Sequence, residues 1–319
     1  MVMTDYDVLV AGGGAAGLSA ALVLSRARRR VLVVDEGRPR NAPAAHLHGF
    51  LSRDGIVPSE LLRIGRLEAI GYGATITDDV VTRVARISEP GRGFAVRLGS
   101  GSAVTARRLL VATGLRDELP DIAGLGECWA RDVLHCPYCH GYEVKDQRLG
   151  VLGGAPGSVG YAQIVRQWSS DVVFFTHPLV LTSAERGQLT ARGIVIVETP
   201  VRQVAVRDDR LHGLVLDDGS TLERDALFVL PRPVPNGSLL VELGCTLDED
   251  GWAVSERNGL TTTSGVWVAG NVAGPRAQVI TAAGEGSAAA IAINADLVEE
   301  DVRTAVLRSA DVVADRCAS

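Results

Sequence analysis

A strand, a glycine-rich turn and a helical segment follow one another twice along this chain. The first copy opens with YDVLVA at residues 6–11, a short Val-rich run typical of a buried strand, and continues through GGGAAG into a helix predicted over Leu18–Arg28. The second opens with LGVLGGAPGSVG at residues 149–160, about 140 residues further on. Each copy ends in alternating apolar and polar residues that predict a small antiparallel meander. A repeat this long predicts two related domains rather than a solenoid.

Three glycines between the first strand and its helix form a Gly-x-Gly-x-x-Gly pattern, at Gly12, Gly14 and Gly17. Glycines here permit a tight turn and let the helix N-terminus approach a pyrophosphate. Asp35 follows the next predicted strand, Val31–Val34, where a carboxylate can bind a ribose hydroxyl. The pattern in this context predicts a dinucleotide-binding domain. A glycine-rich turn without a ligand is the alternative.

The C-terminal segment, residues 237–319, belongs to neither copy. Within it, GVWVAGNV at residues 265–272 predicts a strand, and the Ala-rich stretch at residues 278–300 predicts a long helix. A segment of this size has too little apolar surface for a core of its own, so we expect it to complete the first domain. The predicted fold is therefore α/β, with two Rossmann-like nucleotide-binding domains of three-layer ββα type, the second inserted in the first.

Composition narrows the class of protein. The 319 residues carry a net charge of −6, 46% are hydrophobic and 22% are charged, which argues against a disordered chain and gives no basic surface for nucleic acid. No apolar run reaches the roughly 18 residues of a membrane span, and the N-terminus lacks a secretory signal pattern. Five cysteines make no disulfide framework; Cys128 and Cys245 are expected in the core and Cys317 in a loose tail. We expect a cytoplasmic globular protein without nucleic-acid or membrane partners.

The hexapeptide HCPYCH, residues 135–140, places Cys136 and Cys139 with two residues between them. Thiols at this spacing can close a reversible disulfide, and a helix N-terminus beside them lowers a thiol pKa. We interpret the pair as a redox-active dithiol. Three other interpretations stay open: a zinc site that adds His135 and His140, a glutaredoxin-like domain, and an inert buried pair. Zinc ligand pairs normally lie well apart in sequence, which disfavours the first, so no metal is expected.

Together, these motifs resemble the low-molecular-weight thioredoxin reductase family, nearly from end to end. LLVATG at residues 109–114 is similar to the family's second flavin motif, and TSGVWVAGNV at residues 263–272 to its third. PNGSLLVELG at residues 235–244 is similar to its interdomain return. The resemblance implies FAD as cofactor and a homodimer.

The resemblance also divides the chain. It implies an FAD-binding domain formed by residues 1–117 and 243–319, and an inserted NADPH-domain-like unit at residues 118–242 that carries the CxxC pair. The implied cofactor-binding residues are those of the glycine turn, the adenosine side and the flavin side: Gly12, Gly14, Ala15, Ala16, Gly17, Asp35, Glu36, Val81, Ala112, Thr113, Gly114, Asn271, Gln278 and Val279.

Two of the family's acidic positions differ in this chain. Asn271 replaces the Asp of the third flavin motif, and a neutral amide can still hydrogen-bond a ribityl hydroxyl. His140 replaces the Asp that follows the second thiol, and histidine carries protons near neutral pH. His140 is therefore the expected acid/base, or else a packed histidine. His46 and His48 lie in a segment that runs beside the flavin in the family, where they contact FAD, shape a substrate pocket or face solvent.

The second glycine turn departs further from the family. Ala155 puts a methyl group where the backbone should approach a pyrophosphate, and Pro156 removes a possible N–H donor. Thr176-His177-Pro178 stands where the reductases carry His-Arg-Arg for the 2′-phosphate of NADPH. We expect NADPH binding to be weak or absent.

These departures are similar to those of a subgroup of the family, FAD-dependent dithiol oxidases that close disulfides such as those of gliotoxin and holomycin. The resemblance implies that the Cys136–Cys139 disulfide accepts electrons from a small-molecule dithiol, with Cys136 attacked and Cys139 next to the flavin, and that O2 is the terminal acceptor. His140 would serve as the base. A protein dithiol as substrate, an NADPH-dependent reductase, and a flavin-bearing redox sensor or binding protein remain alternatives.

Overall fold

The structure is a computed structural model that describes residues 6–88 and 93–318, with side chains up to residue 309. The chain divides into two compact units. The first comprises the chain up to Pro39, Ser59–Leu115 and the chain from Pro235 onward; the second comprises Arg40–Pro58 and Arg116–Val234.

The first unit is built on one mixed sheet with the strand order β3-β2-β1-β6-β5-β4. β1, β2, β3 and β6 run parallel, while β5 and β4 continue antiparallel, and β17 pairs in parallel with the second half of β6. The C-terminal segment therefore adds its strand to the first sheet, as the sequence predicts. The strands are β1 (Tyr6–Ala11), β2 (Val31–Asp35), β3 (Thr75–Asp78), β4 (Val81–Arg86), β5 (Phe94–Leu98), β6 (Ala103–Val111) and β17 (Val266–Val268).

In the described part of the first unit, the helices are α1 (Ala15–Arg26), α2 (Pro58–Gly71), α6 (Ser238–Glu242) and α7 (Val279–Ala318). α1 and α7 pack closely, because both present small residues. A Cβ on Gly286 would lie 2.0 Å from the carbonyl oxygen of Ala16. Buried alanines of both helices share one core cluster with Leu24 and Ile293.

The bounds of α1 differ from the predicted Leu18–Arg28. The helix begins at Ala15, directly after Gly14, because the glycine turn uses no further residues. It ends at Arg26, since Arg28 adopts a positive φ of 65°. Cys317 falls within the range of α7 rather than in a loose tail, and its side chain lies outside the described part.

The second unit repeats the architecture with a five-stranded parallel sheet, order β11-β10-β9-β15-β8. Strands β12, β13 and β14 form an antiparallel meander, and β7 pairs with β16. The helices are α3 (Pro137–His140), α4 (Ser158–Val165) and α5 (Ser183–Ala191). The strands are β7 (Leu115–Glu118), β8 (Val133–Leu134), β9 (Leu149–Leu152), β10 (Val172–Phe175), β11 (Val195–Val197), β12 (Val201–Arg207), β13 (Arg210–Leu216), β14 (Thr221–Glu223), β15 (Ala226–Phe228) and β16 (Arg232–Pro235).

The unit boundaries differ from the bounds 1–117, 118–242 and 243–319. The return into the first unit comes at Pro235, because Leu239 and Leu240 of α6 are buried in the core cluster of the first sheet. Residues 40–58 group with the second unit, which no local pattern indicates. Among the described residues, no helix is both long and apolar enough to cross a membrane.

Candidate active site

The first glycine turn leaves space only where a ligand would need it. A Cβ on Gly12 (φ 107°) would lie 2.4 Å from the carbonyl oxygen of Ala112, and one on Gly17 would lie 1.9 Å from that of Gly12. A Cβ on Gly14 would meet nothing within 4 Å. Gly12 and Gly17 therefore hold the turn, while Gly14 caps α1 at an open N-terminus that suits a pyrophosphate. Ala15 and Ala16 form the first turn of α1.

Asp35 closes the turn from the end of β2. Its Oδ1 accepts a hydrogen bond from the Gly13 amide at 3.1 Å, and its Oδ2 accepts one from Arg66 at 3.0 Å. Its backbone carbonyl accepts from Asp79 at 3.0 Å, which brings the residues just before Val81 to the end of β2. Glu36, the other predicted ribose ligand, instead pairs with Arg38 on the surface. Of the two carboxylates predicted to bind a ribose, Asp35 is thus the one that lies at the glycine turn.

The ATG segment, Ala112–Gly114, is held by a residue far away in sequence. The Thr113 hydroxyl donates to the carbonyl oxygen of Asn236 at 2.7 Å, and the Asn236 side-chain amide donates to the Thr113 carbonyl at 2.9 Å. The Asn236 backbone amide also donates to Gly114 at 3.0 Å. The PNG stretch therefore fixes the carboxyl end of β6, a role that its sequence does not reveal.

Asn271 organises the loop that leads to α7. Its Nδ2 donates to the carbonyl oxygens of Gly274 at 3.1 Å and Ala277 at 3.0 Å, which leaves Oδ1 as the acceptor. A carboxylate at this position could not make these two bonds, since it has no donor. Gln278 is the last residue of this loop and Val279 the first of α7, and both are partly buried. An Oδ1 acceptor suits a ribityl hydroxyl, so the residues of the first unit fit a flavin dinucleotide.

Cys136 and Cys139 are joined by a disulfide. Cys136 is the extended N-cap residue of α3, and Pro137 occupies the first helical position, where its missing N–H costs nothing. The Cys139 and His140 amides both donate to the Cys136 carbonyl at 3.1 Å. The redox pair is therefore preorganised by one helical turn, and neither thiol is available as a zinc ligand in this oxidised state.

Trp168 packs against residues 136–141, the helical turn that carries the disulfide and is called the redox turn below. A Cβ on Gly141 would lie 2.7 Å from the Trp168 ring, so only glycine lets the turn pack so closely. Tyr138 meets the same ring edge-on, with centroids 5.7 Å apart, while it stays 66% exposed. An exposed aromatic ring thus lies between the two cysteines in sequence, on the solvent side of the turn.

His140 is half-buried, and burial lowers the pKa of its imidazole. The nearby charge of Glu143 opposes this effect and raises the pKa, while that of His48 lowers it further. Desolvation with a carboxylate nearby is the environment of a neutral imidazole that can accept a proton.

His135 lies on the other side of Cys136 in sequence and is locked in place. Its ring stacks on Trp129 with centroids 5.7 Å apart, and its Nε2 lies 3.1 Å from the Arg40 guanidinium. Burial, followed by the charge of Arg40, lowers the pKa of His135 to about 4, although Asp117 acts in the opposite direction. His135 is therefore neutral at physiological pH, and its Nε2 accepts from Arg40.

Three positions of the second glycine turn present no free amide N–H to a phosphate. The Gly153 amide already donates to Phe175 at 2.7 Å, the Ser158 amide donates to Ala155 at 3.2 Å, and Pro156 has no amide hydrogen. His177 accepts a hydrogen bond from the Val201 amide at 3.0 Å through Nδ1. His177 is therefore engaged with the backbone where the reductases present cationic side chains.

Arg40, Asp117 and Glu143 are functional candidates that the sequence does not indicate, and for His48 the sequence leaves flavin contact, a substrate pocket and solvent as alternatives. These residues contact one another or His135, close in sequence to the disulfide, although they come from positions up to 95 residues apart. Only the stretch AAHLHGFLSRDG, residues 44–55, gives a signal in the sequence, through its two closely spaced histidines.

Two nucleotide-type α/β units, one with an open dinucleotide turn and the other with a helix-capping disulfide, define an oxidoreductase that acts on disulfides and depends on a flavin. Residues 6–286 match the family model described as pyridine nucleotide-disulphide oxidoreductase, and the chain belongs to that family. The resemblance to thioredoxin reductase-like proteins is thereby confirmed.

Individual relatives agree with this assignment. The solved structure of HlmI has a TM-score of 0.93 and 54% sequence identity, over 98% of this chain and 99% of that one. Thioredoxin reductase sirT from Leptosphaeria maculans is 30% identical over 93% of this chain and 96% of its own length. A relative from Arthroderma benhamiae, named "Probable thioredoxin reductase", is 35% identical over 176 residues, and the match spans 44% of its length.

Proposed function

We propose that this protein is an FAD-dependent dithiol oxidase that closes an intramolecular disulfide in a small-molecule substrate, with O2 as the terminal acceptor. The observation that carries the proposal is the second glycine turn. It lies in the same unit as an intact redox disulfide, yet the Gly153 and Ser158 amides are bonded within the protein, Pro156 has no amide hydrogen, and no Arg or Lys stands at Thr176–Pro178. Electrons would then enter from a dithiol rather than from NADPH.

The residues of the first unit fit FAD. The open N-terminus of α1 after Gly14 would hold the pyrophosphate, Asp35 the adenosine ribose and the Asn271 Oδ1 a ribityl hydroxyl. The ATG segment and the start of α7 would line the remainder. When bound, FAD supplies the two-electron acceptor that reoxidises the Cys136–Cys139 dithiol and transfers the electron pair to O2, which becomes hydrogen peroxide.

The thiol chemistry rests on this chain's own residues. His140 removes the proton of one substrate thiol, and the thiolate attacks Sγ of Cys136. The Cys136–Cys139 bond breaks, a mixed disulfide forms, and Cys139 leaves as a thiolate. The second substrate thiol loses its proton and attacks the mixed disulfide, which releases the substrate as a disulfide and Cys136 as a thiolate. Two electrons and two protons have then left the substrate.

The experiment compares two electron donors without oxygen. The purified holoprotein is mixed with excess NADPH and, separately, with dithiothreitol, while the flavin absorbance is followed. We expect dithiothreitol alone to bleach the flavin, and one peroxide per dithiol to form when air is admitted. Cys139→Ser should abolish bleaching, whereas Cys245→Ser, which alters a buried free thiol that contacts the Thr261 hydroxyl, should not.

A second candidate function is an NADPH-dependent disulfide reductase, which the thioredoxin reductase names of the relatives favour. Rapid bleaching by NADPH would establish it in place of the oxidase. If the enzyme turned over reduced thioredoxin but no small dithiol, its substrate would be a protein dithiol rather than a small molecule. Bleaching without turnover on any dithiol would favour a redox sensor.

We further propose a cytoplasmic homodimer. The two buried free thiols, Cys128 and Cys245, suit a reducing compartment. α7 carries an exposed apolar stripe at Ile291, Val298, Val302 and Val306, with helical spacing, and a second copy of the chain would cover it. Light scattering should give a molar mass twice that of one chain, and the Val302→Glu variant should have the mass of a single chain.

A further inference from the structure

The two oxygens of the Asp35 carboxylate are held by different groups. Oδ1 accepts hydrogen bonds from the backbone amides of Gly13 at 3.1 Å and Gly37 at 3.3 Å. Oδ2 accepts one from Nη1 of Arg66 at 3.0 Å. A Cβ on Gly13 would lie 2.6 Å from Oδ2, so only glycine leaves room for the carboxylate. The backbone therefore fixes one oxygen, and a side chain of α2 fixes the other.

Arg66 also reaches a second carboxylate. Its Nη2 pairs with Oδ1 of Asp78, the last residue of β3, and Asp78 is the register partner of Asp35 at the end of β2. The side chains of Arg66 and Asp35 are 27% and 17% exposed, whereas that of Asp78 is 79% exposed. Exposed ion pairs contribute little, while a more buried pair is costly to break. The bond from Arg66 to Asp35 is therefore the stronger constraint of the two.

The hydrogen bonds of Asp35 leave room for one more donor. An ionised carboxylate has about four lone-pair sites, two on each oxygen. The amides of Gly13 and Gly37 occupy those of Oδ1, and Arg66 occupies one of those on Oδ2. Among the contacts of the described residues, one site on Oδ2 stays open to a ligand. A ribose carries two neighbouring hydroxyls, and this site can accept a hydrogen bond from only one of them.

The direction of the open site depends on Arg66. Neighbouring strands of a sheet lie about 4.8 Å apart, so Asp35 and Asp78 bring two negative charges close together at the ends of β2 and β3. Within the described part of the chain, Arg66 is the one cation paired with either of them. Without this guanidinium, repulsion between the two carboxylates would turn Oδ2 of Asp35 away from its present direction. Oδ1 alone does not fix where Oδ2 points.

We propose that Arg66 is a positioning residue for the adenosine ribose of the cofactor, and that it holds Oδ2 of Asp35 ready to accept a hydrogen bond from a single ribose hydroxyl. The proposal rests on the assignment of FAD to the first unit made above. Arg66 acts through Asp35 and takes no part in the thiol chemistry. The affinity for FAD should therefore depend on Arg66 only while the Asp35 carboxylate is present.

The test measures FAD binding rather than turnover. The full chain is freed of flavin and titrated with FAD, and the change in flavin fluorescence gives the Kd. Arg66→Gln should raise the Kd about tenfold or more, and Asp35→Ala should raise it at least as far. The double variant should bind FAD no more weakly than Asp35→Ala, because Arg66 acts through Asp35. Arg66→Lys keeps a donor for Oδ2 and should lose less affinity than Arg66→Gln.

Arg63→Gln is the matched control. Arg63 lies three residues before Arg66 on α2 and pairs with the exposed Glu60, so this variant should keep the Kd of the unmodified protein. An Arg66→Gln Kd equal to that of the control would overturn the proposal. A further tenfold loss on adding Arg66→Gln to Asp35→Ala would overturn it as well. FMN, which lacks the adenosine, tests the cofactor separately: if the unmodified chain binds FMN as tightly as FAD, the assignment of FAD itself fails.

Discussion

Arg40 and Asp117 form a two-pronged ion pair across 77 residues of chain. Nε–Oδ2 and Nη2–Oδ1 are both 2.7 Å, and the Asp117 side chain is 7% exposed. The same Nη2 reaches Nε2 of His135, the residue before Cys136, at 3.1 Å. One guanidinium therefore ties the loop of residues 40–58 to β7 and to the redox turn.

Removal of this guanidinium should destabilise the second unit. Arg40→Ala leaves the buried Asp117 carboxylate without a partner, and we expect a loss of about 3–5 kcal/mol in the free energy of unfolding. Urea unfolding measures it. Arg63→Ala is the matched control, since Arg63 binds the exposed Glu60 through two hydrogen bonds that are also 2.7 Å long. Its free energy of unfolding should change little, because water replaces the lost pair at the surface. Equal losses in the two variants would contradict the role of burial.

Acidification should weaken the fold through His135. Its pKa is about 4 when folded and near 6.5 when unfolded, so between these values only the unfolded chain takes up the proton. Stability therefore falls as the pH drops from 6.5 towards 4, by up to about 3 kcal/mol from this group. Urea titrations at pH 7 and pH 4.5 should show a smaller loss for His135→Gln, which keeps an acceptor for Arg40. His212→Gln should match the unmodified protein; an unchanged loss in His135→Gln would refute the assignment.

Asn271→Asp should loosen the loop before α7, even though it restores the family's usual residue. The carboxylate would place an oxygen against the carbonyls of Gly274 and Ala277, and two hydrogen bonds would be lost. We expect a destabilisation of about 1–3 kcal/mol and faster loss of flavin on dilution, measured by fluorescence. Asn294→Asp, whose Oδ1 accepts from Arg29, is the control and should retain both stability and flavin.

A single methyl group added at the contact of α1 with α7 should destabilise the protein. Gly286→Ala would bring a Cβ to 2.0 Å from the Ala16 carbonyl, so we expect a loss of about 1–3 kcal/mol, the usual range for overpacking, measured by urea unfolding. Gly284→Ala lies on the same helix with nothing within 4 Å of its Cβ, and should gain up to about 1 kcal/mol from helix propensity. The opposite order of stability would mean that α7 does not pack on α1 as described.

Much of the architecture was readable from local patterns. The apolar runs at Tyr6–Ala11 and Leu149–Leu152 are strands, both glycine turns lead into helices, and the C-terminal strand joins the first sheet. Buried parallel strands and Gly-rich turns leave a signal within a few residues, because burial and backbone angles act on neighbours. The start of α1 at Ala15 and the return at Pro235 differ from the predicted Leu18 and residue 243, since packing rather than pattern sets those ends.

The sequence alone therefore determined the α/β class, the repeated unit, the Cys136–Cys139 spacing and the residue types at each glycine turn. It could not show that Arg40 grips Asp117, that Asn236 holds the ATG segment, or that His48 lies between Asp54 and Glu143. A hydrogen bond between residues tens of positions apart has no local pattern, because it exists only once the intervening chain has folded. Tertiary structure decided those pairings, and through them the electrostatic environment of His135 and His140.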